Sequence, residues 1–552
     1  MKIHKRDVSV KGRNRRVKNN VTVYAGIITY MIGLFIRIPL SRVIGDAGIG
    51  LAAPALELSF LATFIFSYGI SRTMTGLIRY RIKREQYKSA QKVFHMAFKV
   101  ALLWSVLLAA VLFVCSGFFS EIIVLEAMSR KAVIAAAPVI LLSGMLSVFR
   151  GYFNGNGFAI LVSQSQYIEK IAMLVCMLAG GGMVYGYGEK VAALLQNPMV
   201  AYAYGALGAI LGFMIAELIT LIYLLFVFGI YSGTWKSQLM QDSGRRLETN
   251  GEIIGMLFGN GFPAAVIVVL LNLFMLIDQR FFNYCMNRTG QGEMRTALWG
   301  AYYGKFAVLI GLGCALVCLA VHGYVGKIAM AYEKEEYRMM RDRIGSAVKK
   351  LCITAFPIAI YLAVLAEPFV KGIYKGENGL AIDMLRRGTI IVIFYGIAYL
   401  FGQLMLKLHM TKELFLSCLI ALAVHLAAVY LLVRKALLGG NGVVYSVILF
   451  TGVLAVLCFL FLARKLKYRQ EWVIPVAFPA LAACVAGLVV MLLNKLLLGM
   501  AGELLTILVS CLVGTVLYVI LLMVLRVLNE GEIAKFPFGS LFITLGRMIG
   551  VL

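Results

Sequence analysis

Residues 21–78 read VTVYAGIITYMIGLFIRIPLSRVIGDAGIGLAAPALELSFLATFIFSYGISRTMTGLI. Two apolar runs, 21–44 and 51–78, are joined by a short turn containing Gly45, Asp46, Gly48 and Gly50. Each run reaches the roughly 20 residues that a helix needs to cross hydrocarbon. The runs nevertheless carry Arg37, Arg42, Glu57 and Arg72. A charge at membrane depth costs about 2.5–3.5 kcal/mol on insertion scales, so such groups face a cavity or a partner. A charged helical hairpin is therefore the opening element.

The same pattern recurs along the chain. Fourteen apolar runs are present, among them 253–282, 298–322, 351–370, 473–497 and 503–526. The 552 residues are 61% hydrophobic and 14% charged, with a mean hydropathy of +0.88. Soluble domains are about 45–50% apolar and about 25% charged. A soluble globular domain, a disordered chain and a porin-type barrel of alternating strands are excluded. The fold expected is an all-α polytopic membrane protein of about 14 transmembrane helices. The ten cysteines fall almost entirely inside apolar runs, without zinc spacing, and read as small packing residues.

The net charge of +27 sits in the loops rather than in the runs. That distribution points to anionic lipid headgroups and phosphorylated substrates, and not to nucleic acid. About 34 basic residues fall on one side of the membrane and about 11 on the other. The positive-inside rule places the richer side, with both termini, in the cytoplasm. A cysteine introduced by Arg341→Cys is then expected to react with an impermeant thiol reagent only from the cytoplasmic face. Reaction from outside would invert the topology.

The loop spacing suggests two six-helix lobes in parallel repeat, followed by two further helices. The expected organisation is a basic cytoplasmic N-terminus (1–20), an N-lobe (21–229), a cytoplasmic linker (230–252), a C-lobe (253–463), a final helix pair (473–526) and a cytoplasmic tail (527–552). Two lobes rocking about a midplane site give alternating access, the working principle of many transporters.

Arg37, Glu57, Arg72, Asp278, Arg280 and Lys305 all fall on the first two helices of one or the other lobe. Four of these six are cationic. Arginine stays charged at any physiological pH and grips phosphate through two parallel hydrogen bonds. A cationic cavity suits an anionic, phosphorylated cargo, while Glu57 and Asp278 are candidates for ion coupling or for pairing with the arginines. Lys407 and Lys495 lie near helix ends and read as snorkelling. Glu217 and His425 read as hydrogen-bonded structural groups. Gly208-x-x-x-Gly212 and Gly255-x-x-x-Gly259 have the spacing of close helix contacts.

The segment from Gly33 to Leu51, with Arg37, Pro39, Arg42, Gly45, Gly48 and Gly50, resembles the first-helix signature of the polysaccharide flippases. Phe149-Arg150-Gly151-Tyr152-Phe153-Asn154-Gly155 resembles a loop motif of the same branch, and Ser163-Gln164 with Tyr167-Ile168-Glu169-Lys170 resembles the run that follows it. Gly261-Phe262-Pro263 through Asp278 resembles the start of a second lobe. The branch belongs to the multidrug/oligosaccharidyl-lipid/polysaccharide (MOP) exporter superfamily. It includes the stage V sporulation protein B type and the MurJ-like lipid II flippases. The resemblance implies a V-shaped central cavity and a polyprenyl-pyrophosphate-linked sugar as cargo. It also implies a groove for the polyprenyl tail on the last two helices. Carried over by motif, the headgroup-binding residues are Arg37, Arg42 and, more loosely, Arg72. Lys305 stands where the lipid II branch tends to carry arginine, and Arg280 completes the cationic set.

No catalytic group and no metal site is expected. A carboxylate pair or a polar-partnered membrane histidine, as a membrane glycosyltransferase or acyltransferase needs, does not occur among the motifs. The expected cofactor is none beyond a coupling ion, Na+ or H+, or the membrane potential. The expected location is the bacterial cytoplasmic membrane, as a monomer. The alternative function is a drug/cation antiporter of the MATE type, which would carry acids deep in the first lobe.

Overall fold

The computed structural model describes residues 24–242, 248–374, 379–497, 502–534 and 539–548. The basic N-terminus, Arg245 of the linker and Lys535 of the tail lie outside them. Among the described residues every regular element is a helix. Thirteen helices among these residues are long and apolar enough to cross a membrane.

The first of these, Tyr24–Ile82, holds 59 residues. At 1.5 Å per residue that is nearly three times the roughly 30 Å of a hydrocarbon core. It is broken at Gly45, whose φ of 70° and ψ of 172° lie outside helical space. Glycine alone adopts this conformation without strain. Here the break separates the two runs of the opening hairpin. Each of the other twelve candidates corresponds to one remaining apolar run.

Helices extend past the apolar runs wherever amphipathic sequence continues them. The run expected at 351–370 belongs to a helix spanning Tyr337–Val364. Its first turns carry Arg338, Arg341, Arg343, Lys349 and Lys350, which are good helix formers that hydropathy ignores. Leu365 ends it, and Ala366–Ile373 forms a separate short helix. The expected linker 230–252 is likewise helical at its start, because the helix from Met199 continues to Met240. Trp235 anchors that extension, buried against Tyr152 and Phe228 with ring centroids 5.0 and 4.5 Å away.

The chain separates into two compact units, one up to Gly304 and one from Lys305. The first unit therefore includes the helix from Asn250, which the loop spacing assigned to the C-lobe. Close backbone crossings explain why that helix packs there. A Cβ on Gly261 would collide with the carbonyl of Gly69, and one on Gly300 with the carbonyl of Asp46. The Gly208/Gly212 pair lies at such a crossing too, against Gly180 and Cys176. Gly255 and Gly259 have open space instead, so that spacing marks no contact here.

Candidate functional site

Arg37 and Glu57 lie twenty positions apart on either side of the Gly45 break. Arg37 is 8% exposed. Its Nη2 donates to the hydroxyl of Tyr303 at 2.8 Å and lies 3.7 Å from Glu57 Oε1. Its Nη1 reaches the Tyr303 carbonyl at 3.4 Å, and its Cζ sits 3.9 Å from the Tyr303 ring centroid. The Tyr303 hydroxyl in turn donates to Glu57 Oε1 at 2.6 Å. One phenol thus accepts from the cation and donates to the anion.

The Gly50/Gly300 crossing positions this triad. The helix Arg295–Ala301 lies against the helix Arg37–Ile65 with backbone touching backbone at Gly50, Thr296 and Gly300. Tyr303 follows Gly300 by three residues, close to one helical turn. Its ring therefore falls beside the Arg37 and Glu57 side chains.

A second charged group continues from the first. Phe60 has Arg37 Cζ and Lys170 Nζ each 6.0 Å from its ring centroid. Lys170 Nζ lies 2.6 Å from Glu169 Oε1, and Arg150 Nη2 lies 2.6 Å from Glu169 Oε2. Arg150 Nε also donates to Ser165 Oγ at 3.0 Å. Farther along, Ser143 donates to Glu217 Oε1 at 2.7 Å, and Thr63 donates to Ser143 at 3.0 Å. Three cations and three acids, all within the first unit, form this array, with Arg37, Glu169 and Glu217 buried and Glu57, Arg150 and Lys170 half-buried.

The sequence-predicted residues divide accordingly. Arg37 and Glu57 come together, so Glu57 pairs with Arg37 rather than Arg72. Arg42 and Arg72 are exposed on the bare protein. Arg280 is engaged elsewhere, its Nη1 donating to the carbonyl of Ile122. It joins a cluster around the segment 122–126, where Asn283 donates to the Val124 carbonyl at 2.9 Å. Glu126, 2% exposed, accepts there from Arg295 and Thr296, each at 2.9 Å. Asp278 is fully buried. Lys305 is fully buried in the second unit, with its Nζ 5.8 Å from the Tyr374 ring. His425 Nδ1 lies 3.1 Å from the Ser446 carbonyl oxygen. Lys407 and Lys495 are exposed near helix ends, as snorkelling requires.

Tyr303, Arg150, Glu169 and Lys170 were missed as site residues. Tyr303 carries no formal charge, so the pattern of charges inside apolar runs does not reveal it. The other three sit near run ends, where charge looks ordinary. Their signal was the pair of motifs at 149–155 and 167–170.

The Glu126 cluster makes its own prediction. Glu126→Ala removes the acceptor of two donors and is expected to lower stability by about 2 kcal/mol. A drop in melting temperature of the purified protein checks it. Glu126→Gln, which keeps one acceptor oxygen, should fall between.

Residues 18–243 match the family model described as Polysaccharide biosynthesis protein. Among curated relatives, stage V sporulation protein B of Bacillus subtilis is 21% identical over 535 residues, which covers 96% of this chain and 98% of that protein. The uncharacterized membrane protein YabM of the same organism is 22% identical, covering 68% of this chain and 67% of its own. Among solved structures, the lipid II flippase MurJ in an inward closed conformation superposes with a TM-score of 0.62 at 13% identity, covering 91% of this chain and 97% of its own. An inward-facing multidrug resistance MATE family transporter of the MOP superfamily gives 0.58 at 14% identity, covering 80% and 94%. At such identities the structural matches speak for the fold. The motif-bearing arginines Arg37 and Arg150 both lie within the matched family segment.

Proposed function

We propose that this MOP-type transporter is a flippase for a polyprenyl-pyrophosphate-linked oligosaccharide. The leading cargoes are the lipid II peptidoglycan precursor and a polysaccharide repeat unit, moved by alternating access across the bacterial cytoplasmic membrane. Both termini are cytoplasmic, and the protein acts as a monomer among anionic lipids, without enzymatic chemistry. The observation that carries the reading is the buried guanidinium of Arg37 in the first span, its Cζ 3.9 Å from the Tyr303 ring centroid and its Nη2 bonded to the Tyr303 hydroxyl. Diphosphate oxygens are stronger acceptors than a neutral phenol and match the arginine fork. In this account the cargo headgroup takes Arg37 from Tyr303 and Glu57 during the cycle. Arg42 and Arg72, exposed on the same long helix, supply further positive charge, Lys305 is the candidate cation of the second unit, and Arg280 is held at the Ile122 carbonyl. Glu57 and Asp278 are the candidate groups for a coupling Na+ or H+.

A specific observation favours the second reading, a drug/cation antiporter. Glu57, Glu169 and Glu217 are acids buried or nearly buried in the first unit, as that reading requires. Two of them are already matched by Arg37, Arg150 and Lys170, which leaves less negative charge for a cationic drug.

The test is genetic. Expression in a strain depleted of its own lipid II flippase should restore growth without raising resistance to cationic dyes. Dye resistance with no rescue, at normal membrane abundance, would favour the antiporter. Rescue of a capsule-deficient flippase mutant alone would assign the repeat unit.

A further inference from the structure

Phe60 stands between two cations that come from different spans. Arg37 belongs to the first span and Lys170 to the helix Ala159–Leu195. Arg37 Cζ and Lys170 Nζ are each 6.0 Å from the Phe60 ring centroid, so the two charges lie within twice that distance of one another. The lysine arm also runs over a bare stretch of the first span. A Cβ on Gly33 would stand 3.8 Å from Lys170 Cε and 3.9 Å from its Cδ. Gly33 precedes Arg37 by four residues, so the arm crosses the helix face that carries the arginine. Both side chains keep accessible surface, 10% for Arg37 and 15% for Lys170. A ligand can therefore touch both.

The two cations of Glu169 are held unequally. Lys170 and Arg150 each lie 2.6 Å from one of its oxygens. Arg150 is also fixed by Ser165, donating to its hydroxyl at 3.0 Å and to its carbonyl at 3.3 Å. When Lys170 swings away, Glu169 stays paired with Arg150, and no buried carboxylate is stranded. Stranding one is the costly event. Lysine suits such an exchange, being a compact charge on a flexible four-carbon stem.

Two cations on either side of one ring match a ligand with two neighbouring anionic groups. A diphosphate diester carries a negative charge on each phosphate, whereas a monophosphate diester carries a single charge. We propose that Lys170 is a specificity-determining residue of the headgroup site, binding the second phosphate of a diphosphate whose first phosphate Arg37 grips. This role rests on the flippase reading and adds the residue that tells a diphosphate-linked lipid from a monophosphate-linked one. Arg37 takes its phosphate through the guanidinium fork, and Lys170 meets the neighbouring phosphate as a point charge.

The test measures binding to the purified full-length protein in lipid nanodiscs. The probes are polyprenyl diphosphate N-acetylglucosamine and polyprenyl monophosphate N-acetylglucosamine of equal chain length. Wild-type protein binds the diphosphate more tightly. Lys170→Gln weakens that binding about tenfold and changes monophosphate binding by less than about twofold, as loss of one charge-assisted contact predicts. Lys170→Arg, which keeps the charge, retains the preference. No loss with Lys170→Gln overturns the proposed role. So does an equal loss of both affinities, which would make Lys170 a structural partner of Glu169. If wild-type protein binds neither probe, the flippase reading falls as well. If Arg37→Ala/Glu57→Gln abolishes diphosphate binding and Lys170→Gln leaves it unchanged, the role of Lys170 falls alone. Acetylation of the Lys170 amine in wild-type protein, read by peptide mass, gives a second measurement that needs no variant at this position. Saturating diphosphate probe slows it and monophosphate probe does not. Equal acetylation rates with the two probes overturn the role.

Discussion

Replacing Arg37 by alanine is expected to abolish transport, with complementation reduced to the level of the empty vector. The guanidinium is nearly buried and contacts both Tyr303 and Glu57. Its removal has two separable consequences. It deletes the group proposed to grip the diphosphate, and it strands Glu57 as an uncompensated carboxylate. Breaking a buried pair by removing one partner costs about 3–5 kcal/mol, so abundance should fall as well. The double variant Arg37→Ala/Glu57→Gln separates the two effects. It removes the stranded charge and should restore abundance, measured by blot, while transport stays absent. If it restores growth too, Arg37 is a structural partner of Glu57 and nothing more. Arg37→Lys keeps the charge but loses the planar fork and should be impaired rather than neutral.

Gly300→Ala is expected to be the most damaging single-methyl addition in the first unit. The new Cβ would meet the carbonyl of Asp46, a backbone atom that cannot rotate aside. Overpacking a tight contact costs about 1–3 kcal/mol, and a backbone obstacle places this change at the upper end. Separating the two helices also draws Tyr303 away from Arg37 and Glu57. Transport should therefore fall further than melting temperature alone accounts for. Gly76→Ala is the control, because nothing lies within 4 Å of its Cβ position. There the same methyl should stabilise the helix by about 0.5–1 kcal/mol. Opposite signs at the two glycines would show that the crossing, and not helix propensity, sets the effect.

The membrane fold was legible because apolar runs of some 20 residues have few other readings. The Gly45 break was legible for the same reason: two runs meet there with three glycines and an acid among the six residues between them. Helix ends were less so: the apolar runs stop at 370 and 229, whereas the helices end at Val364 and Met240. Charged residues such as Arg338 and Arg341 prolong a helix without contributing to the signal. The unit boundary at Gly304 was not legible. It depends on backbone contacts at Gly50, Gly69, Gly261 and Gly300, and a sequence displays glycines without saying which ones touch. Within the site, Arg37 and Glu57 were found because each is a charge inside an apolar run. Tyr303 was hidden because a tyrosine in a membrane helix is ordinary until its hydroxyl is seen between two charges. Arg280 was misleading for the converse reason. Its depth suggested the cavity, yet a backbone carbonyl at Ile122 holds it.

The proposed activity is the transfer of a lipid-linked oligosaccharide between leaflets. The most direct measurement uses proteoliposomes containing the purified protein and a fluorescent polyprenyl-pyrophosphate oligosaccharide. The fraction of headgroup reachable by an impermeant quencher or glycosidase is followed over time. The account predicts that the wild-type protein brings the inner-leaflet pool into reach, and that Arg37→Ala/Glu57→Gln protein of equal abundance does not. An inner pool that stays protected with folded wild-type protein, across imposed Na+, H+ and voltage gradients, would contradict it.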